Sequence, residues 1–384
     1  MKFSIYIKGR GWTFQLAKAL SKTDNLDFLV TSYPKFFVKK YNVPANKIKS
    51  IFLIEILMRL LGKFDPLLYK LKLNFDVNLI MDWATDTIYS LFFIQNSDFL
   101  LMGFGNSTRQ IIKKAKKKNI KTIYFLNNSS PSYRDKVLKE EYDKLGLSKF
   151  YKGEPKALTR KINESINMAD YIGALSSFQK QTYMDEGVDE SKIFLSFMGV
   201  DTSVFFPKKI KKDKFIVIYV GNDFVRKGAK YLIDAFNSLK LDNSELWIVG
   251  INQRNLAERI VKIEKNNIFI DSVNEFKLPD LYNQSSIFCL PTFEEGLPIV
   301  LPQAMACGLP IISTQYAKDC VTDGQEGFII EAGNTSLISE KIKFFYDNPN
   351  KVVEMGTKAR IKVENEFTFD SVAKRIVNFC NTKS

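Results

Sequence analysis

Two short segments of this chain carry residues whose types and spacing suit anion chemistry. The first is Pro291–Gly308, PTFEEGLPIVLPQAMACG. It follows the buried-looking apolar run Ile287–Leu290, and Pro298 and Pro302 both suit a loop or a first helical turn. The spacing therefore predicts a helix that begins near one of these prolines and ends at Gly308 as its C-terminal cap. Unpaired N–H groups at such a helix start, beside the small Gly296, form an anion site. Glu295 and Gln303 bracket that start, so one side chain can meet a bound group while the other reaches alongside it. The plain alternative is a strand–turn–helix with solvated polar residues. The second segment is Gly221–Gly228, GNDFVRKG. Gly221 lets the chain turn at a strand end, and Arg226 and Lys227 put two cations at the same sheet edge. A diphosphate there would gain charge-assisted hydrogen bonds worth roughly 1.5–3 kcal/mol each. The alternative is a solvated basic turn.

A third segment, Gly9-Arg10-Gly11-Trp12, follows the first strand-like run. Phe14 stands where the third glycine of a GxGxxG loop would be, so a structural turn fits as well as a phosphate loop. No DxD motif is visible, and nothing in the sequence calls for a metal.

These segments sit in a chain whose short apolar runs alternate with helical patterns, the signature of parallel βαβ architecture. Strands are expected at Lys2–Ile7, Phe99–Met102, Thr122–Leu126, Tyr171–Leu175 and Lys192–Phe197, with a helix at Phe14–Leu20. A break at Gly199-Val200-Asp201 leads through Phe205-Phe206-Pro207 to the basic Lys208–Lys214. A second series then starts afresh with Phe215–Val220, FIVIYV, apolar throughout as expected of a strand covered on both faces. A helix at Ala229–Leu239 and strands at Glu245–Val249, Ile268–Ile270, Ile287–Leu290 and Pro310–Ser313 complete it. The fold class is thus α/β, with two Rossmann-like doubly wound domains, 1–207 and 208–365, facing one another across a cleft. Their ligand is expected at the carboxyl ends of the strands. The last stretch, 366–384, is expected to supply a helix, Phe369–Cys380, that packs back on the first domain.

Composition narrows the chemistry. The 384 residues contain no histidine, which removes Ser-His-Asp and Cys-His catalysis and His-ligated metals. Acid–base work is left to carboxylates, Lys, Tyr or the substrate. The four cysteines, Cys289, Cys307, Cys320 and Cys380, show no CxxC spacing and read as buried thiols of a reducing compartment. The N-terminal residues have no apolar core of signal-peptide length, and Ile51–Leu61 is interrupted by Glu55 and Arg59 and falls short of a bilayer span. A cytoplasmic location follows as an expectation, at most peripheral at the inner face of the plasma membrane. The net charge is +14. Its densest run, Lys113–Lys118 followed by Lys121, reads as the solvated face of a crossover helix, with attraction to anionic lipid as the functional alternative. Neither zinc spacing nor an RNP-like motif nor an arginine-rich arm is present, so nucleic acid is not an expected partner.

Taken together, the segments resemble the family-4 retaining nucleotide-sugar glycosyltransferases of the GT-B fold. PTFEEGLPIVLPQAMACGLPIIST is similar to that family's Glu-x7-Glu signature, and VGNDFVRKGAKYLIDAF to its phosphate-binding strand–loop–helix. MADYIGALSSFQKQTYMDEGVDESKIFLSFMGVDTSVFFP resembles the end of its first domain and the linker. The resemblance runs in order over residues 165–335. Before that it is looser, resting on the glycine turn and YRDKVLKEEYDKLG. It implies an acceptor-binding first domain and a donor-binding second one. By resemblance Glu295 contacts donor-sugar hydroxyls, and amides around Gly296, Leu297 and Ile299 face the diphosphate. Arg226 and Lys227 would neutralise that diphosphate as it departs, while Gly11 and Gly221 line the donor site. Gln303 stands where the family's second glutamate grips the ribose hydroxyls. An amide there accepts from one hydroxyl and donates to the other, at a cost of about 1 kcal/mol. Asn222 replaces an arginine that often follows the strand-end glycine, with Arg226 as its substitute. The family's first-domain histidine is missing, and Asn127-Asn128-Ser129-Ser130 is the candidate for that wall.

The implied activity is metal-independent, retaining transfer of a sugar from a nucleoside-diphosphate sugar, UDP- or GDP-linked, to a glycan or lipid-linked acceptor in surface polysaccharide assembly. The donor is a co-substrate, and no cofactor is implied. Ile51–Leu61 with Lys63, and the lysine run, would offer peripheral contact with an anionic membrane. Two alternatives stay open: a GT-B sugar-nucleotide epimerase or hydrolase, and a catalytically degraded nucleotide-sugar or glycan-binding protein.

Overall fold

The structure, a computed structural model, describes residues 1–8, 11–62, 77–92, 97–104, 108–251 and 253–383. Gly9 and Arg10 of the glycine turn, Lys63, and the side chains of Glu55 and Arg59 lie outside the described residues. Two parallel sheets organise the chain. The first contains β1 (Phe3–Ile7), β2 (Leu26–Thr31), β3 (Ile48–Ser50), β4 (Phe99–Gly103), β5 (Lys121–Phe125), β6 (Tyr171–Ala174) and β7 (Ile193–Leu195). Its order is β3-β2-β1-β4-β5-β6-β7. The second contains β8 (Phe215–Val220), β9 (Ser244–Val249), β10 (Asn267–Ile270), β11 (Ile287–Leu290), β12 (Ile311–Thr314) and β13 (Gly327–Ile330), in the order β10-β9-β8-β11-β12-β13. The order reverses beside β1 in one sheet and beside β8 in the other. Each reversal opens a crevice at the carboxyl ends of the strands.

The helices are α1 (Thr13–Lys22), α2 (Lys35–Lys39), α3 (Phe52–Gly62), α4 (Val77–Phe92), α5 (Arg109–Lys117), α6 (Pro131–Lys144), α7 (Lys156–Met168) and α8 (Ser177–Met184) around the first sheet. Around the second are α9 (Ala229–Leu239), α10 (Arg254–Ile260), α11 (Leu278–Gln284), α12 (Val300–Ala306), α13 (Thr335–Asp347) and α14 (Pro349–Glu366), followed by α15 (Phe369–Asn381). Because helices cover both faces, β4, β8 and β11 read as unbroken apolar runs, and β1 is broken only by the buried Ser4. Val372, Ala373, Ile376 and Cys380 of α15 enter the core of the first sheet beside α1. Val200 donates to the Phe367 carbonyl at 2.8 Å, so the two crossings between the sheets run side by side. All four cysteines are buried and unbridged.

The expected strands occur within a residue or two of their expected bounds. β2, β3 and β13 were not among the expected strands, and of the helices only α1, α5, α9, α12 and α15 were expected as such. β2 carries the half-buried Asp27 and ends at Thr31, β3 is three residues long, and β13 opens on a glycine, so none shows a long apolar run.

Burial shifts the titration of Asp86, a carboxylate of the first sheet unit. Asp86 on α4 accepts from the backbone amides of Gln110 and Ile111 at 2.7 and 3.0 Å, capping α5. Burial pushes its pKa up to about 6, against the lowering effect of those amides. A carboxyl raised on folding binds more protons in the native state, so its contribution to stability declines as pH rises from 3.8 toward about 6. The difference in denaturation midpoint between the wild type and Asp86→Asn should therefore vary across that window and level off above it. A constant difference would show that Asp86 has an ordinary pKa.

Candidate active site

The loop after β8 and the loop after β11 meet because their strands are neighbours in the sheet. Phe293 donates its amide to the Arg226 carbonyl at 2.8 Å, and Thr292 Oγ1 donates to the same oxygen at 3.1 Å. The Arg226 amide donates to Asp223 Oδ1 at 3.1 Å, which sets the turn. Gly221 does not adopt a left-handed φ. It is needed for space instead: a Cβ there would overlap the Lys227 side chain and lie 2.9 Å from Tyr219 Oη. The expectation that Gly221 serves the turn by its backbone freedom is corrected accordingly.

Arg226, Lys227 and Glu295 come together as one buried ion cluster. Glu295 Oε1 lies 3.0 Å from Arg226 Nη1 and 2.7 Å from Lys227 Nζ. Arg226 Nη1 also donates to the Glu294 carbonyl at 3.0 Å and stands 3.5 Å from Glu294 Oε2. Burial would raise the Glu295 carboxyl, but Lys227 and Arg226 overcome it and hold the group below the usual glutamate range. Glu294, fully buried, behaves oppositely. Burial first, and then the Glu295 charge, push its carboxyl up, with Arg226 and Ser129 opposing. The net formal charge of the four groups is zero, so an incoming anion can engage the cations by displacing Glu295.

Glu294 is the residue that motif reasoning passed over. Its Oε1 accepts from the amide and the hydroxyl of Ser129 at 3.0 and 2.7 Å. Asn127–Ser130, the expected wall, is thus seated on the 294–296 loop. Ser176 Oγ donates to the Gly296 carbonyl, and Gln179 Nε2 donates to the Asn128 carbonyl at 2.7 Å. Gly296 lets the two loops touch. Ser177 bonds Asp319 through its amide and hydroxyl, and Tyr231 Oη donates to Glu141 at 2.7 Å, which extends the seam.

Gly11, Ile299 and Gln303 make no direct contact with the cluster; they line a cleft of 520 Å³ between the sheets, whose lining does not include Arg226, Lys227 or Glu295. α12 starts at Val300, close to Pro298, and its second turn carries Gln303 into the cleft wall. Gln303 Oε1 is buried without a hydrogen-bond partner, as is Oε1 of Gln15, another cleft residue. A buried acceptor left unpaired costs about 1–3 kcal/mol, so both oxygens are suited to a ligand's hydroxyl or amide. Gln15 was not anticipated. It sits three residues beyond the glycine turn on α1, and no charge or spacing marks it. Leu297, by contrast, has its side chain in the core of the second sheet.

Comparison with known proteins gives a consistent result. An uncharacterized glycosyltransferase of Haemophilus influenzae is 29% identical over 52% of this chain and 58% of its own length. The capsular polysaccharide biosynthesis glycosyltransferase CapM of Staphylococcus aureus is 26% identical over 56% of this chain and 61% of its own. The chain therefore spans little more than half the length of these curated relatives. Among solved structures, Anabaena Alr3699/HepE in complex with UDP superposes with a TM-score of 0.69 at 13% identity, covering 100% of both chains. The two-sheet architecture is the GT-B fold. Residues 201–362, the part that holds the ion cluster and Gln303, match the family described as Glycosyl transferases group 1.

Proposed function

We propose that the chain is a retaining, metal-independent glycosyltransferase that moves a sugar from a nucleoside-diphosphate sugar to a glycan or lipid-linked acceptor. The observation that carries this reading is the buried Arg226–Lys227–Glu295 cluster at the ends of β8 and β11. CapM points to surface polysaccharide assembly, and the UDP and UDP-glucose complexes of HepE favour a UDP-sugar as donor. The acceptor half is placed at 1–207 and the donor half at 208–365, with the chain acting on the cytoplasmic side.

In this reading the diphosphate displaces Glu295 from Arg226 and Lys227, and the freed carboxylate turns to the sugar hydroxyls. The bond from the anomeric carbon to the diphosphate oxygen breaks, leaving an oxocarbenium-like centre. The acceptor oxygen bonds to that carbon on the face being vacated, and its proton passes to a phosphate oxygen. The two cations, together with amides near Gly296, Leu297 and Ile299, stabilise the charge that collects on the leaving group. Such preorganised donors act strongly in a water-poor cleft. Gln303 meets the ribose, and Gly11 leaves room on the opposite wall.

The test is a thermal-shift panel of UDP, GDP, ADP and CMP on the wild type and on Lys227→Ala. A ligand at ~100 times its Kd adds about 2.7 kcal/mol to the state it binds. UDP should raise the midpoint by several degrees in the wild type and much less in the variant. The reading fails if no nucleotide shifts the wild type. The ribose assignment has its own check: Gln303→Glu should tighten UDP about fivefold, because a carboxylate accepts from both ribose hydroxyls. An unchanged or weaker Kd by calorimetry would remove Gln303 from that role.

A further inference from the structure

Several of the apolar side chains that the cores leave outside collect on two neighbouring helices. Phe36 on α2 and Phe52, Leu53, Ile56 and Leu57 on α3 are all exposed, Leu53 by 66%. An apolar groove of 1050 Å³ runs between the two helices, lined by Tyr33, Phe36, Phe37, Phe52 and Ile56 among others. A patch of this kind marks a partner.

The charge around it identifies that partner. Residues 33–57 contain five lysines, Lys35, Lys39, Lys40, Lys47 and Lys49, against one acid, Glu55. Lys47 is tied to Asp24, whereas Lys35, Lys39 and Lys40 stand exposed beside the phenylalanines. In a two-fold contact with a second copy, these lysines would oppose one another. A negatively charged bilayer surface complements both the apolar side chains and the cations. Among the described residues no helix is long and apolar enough to cross a membrane, so the element would lie in the interface rather than span it. The lysine run on α5 differs: Ile111, Ile112 and Ala115 are buried, and Lys113, Lys116 and Lys117 form the solvated face of a crossover helix.

The groove also has a direction. Tyr33 and Phe37 line both it and the cleft that holds Gln303. We propose that α2 and α3 seat the chain on an anionic bilayer, with a lipid chain in the groove, so that a lipid-linked acceptor passes over Tyr33 and Phe37 into the cleft. The docking stands on the surface alone, while the delivery step rests on the cleft being the transfer site.

Co-sedimentation of the full chain with vesicles of phosphatidylcholine, alone or mixed with phosphatidylglycerol, tests the docking. The wild type should bind the anionic vesicles only, and more weakly as salt rises. Lys35→Glu/Lys39→Glu and Phe36→Ser/Leu53→Ser should each lower partitioning by on the order of 100-fold. Both should keep the UDP-induced thermal shift, which shows that they fold. Lys113→Glu/Lys117→Glu should bind like the wild type. Failure of the wild type to bind, or binding that survives both variants, overturns the proposal. So does a dimer that Phe36→Ser/Leu53→Ser dissociates while vesicles have no effect, since a second copy would then be the occupant. Vesicle binding without any nucleotide shift would support the docking and count against the transfer reading.

Discussion

Replacing Lys227 by alanine should lower kcat on the order of 10- to 100-fold, with a smaller change in stability. Lys227 Nζ is 2.7 Å from a Glu295 carboxylate that Arg226 also holds, so the variant leaves Glu295 buried but still paired. A partly compensated buried charge costs less than the ~3–5 kcal/mol of a wholly broken buried pair. Arg226→Ala should be worse on both counts. Arg226 is the shared partner of Glu294 and Glu295, and without it the raised Glu294 carboxyl keeps only its Ser129 hydrogen bonds and the Arg134 charge against the neighbouring Glu295. The double variant Lys227→Ala/Glu295→Gln separates the two effects: removing both charges should restore the melting midpoint towards that of the wild type but not the turnover. Wild-type kcat in Lys227→Ala would exclude this lysine from leaving-group stabilisation. Recovery of kcat in the double variant would mean that the lysine serves only to hold Glu295.

pH adds a sign to the same cluster. Glu295, whose carboxyl is lowered on folding, contributes stability that is present above its unfolded pKa and lost as pH falls through the native value. Glu294, raised on folding, loses its contribution as pH climbs from its unfolded toward its native value. Adjacent glutamates thus pull stability in opposite directions with pH, and neither effect could be read from the dipeptide.

That pair marks the boundary of what the sequence discloses. The two-sheet α/β plan was legible because strands covered on both faces must be apolar throughout, and FIVIYV and IFCL are. The Pro291–Gly308 loop was legible because glycine and proline constrain backbone locally. Which carboxylate faces which neighbour was not, because it depends on chain segments far apart in sequence. Glu294 and Glu295 are the same residue type, yet one turns to Ser129 and the other to Arg226 and Lys227. The pairing of the 226–227 turn with the 294–295 loop follows from β8 lying beside β11, a fact of sheet order rather than of local pattern. Gln15 and the Tyr33–Phe37 threshold likewise owe their placement to tertiary packing, since nothing in their spacing distinguishes them from ordinary helix and loop residues.

Gly296→Ala should abolish most turnover while weakening free UDP much less, because it acts mainly on the contact between the halves and only secondarily on the amides that face the diphosphate. A Cβ at this position would overlap the Asn127 carbonyl oxygen and lie 2.9 Å from its carbon and 2.8 Å from Gln179 Nε2. Backbone on one side and a hydrogen-bonded amide on the other leave little room to give, since Gln179 also accepts from the Leu175 amide at 2.6 Å. The loops must separate, and the Ser176 bond to the Gly296 carbonyl and the Ser129 bonds to Glu294 go with them. Reacting groups misplaced by about 1 Å commonly lose on the order of 100-fold in rate. A fall in kcat of that size, with the UDP thermal shift retained, is the expected signature. Loss of both would instead indicate that the substitution disrupts the second sheet unit itself. The companion variant Ser176→Ala distinguishes the cases, because it removes one bond of the seam without adding bulk. It should lower kcat modestly and the melting midpoint by a few degrees at most, since Ser176 Oγ also caps α8 by accepting from the Gln179 amide at 3.0 Å, a cap worth about 1 kcal/mol. Wild-type kcat in Gly296→Ala would show that the contact between Asn127 and the 294–296 loop is not part of the catalytically competent arrangement.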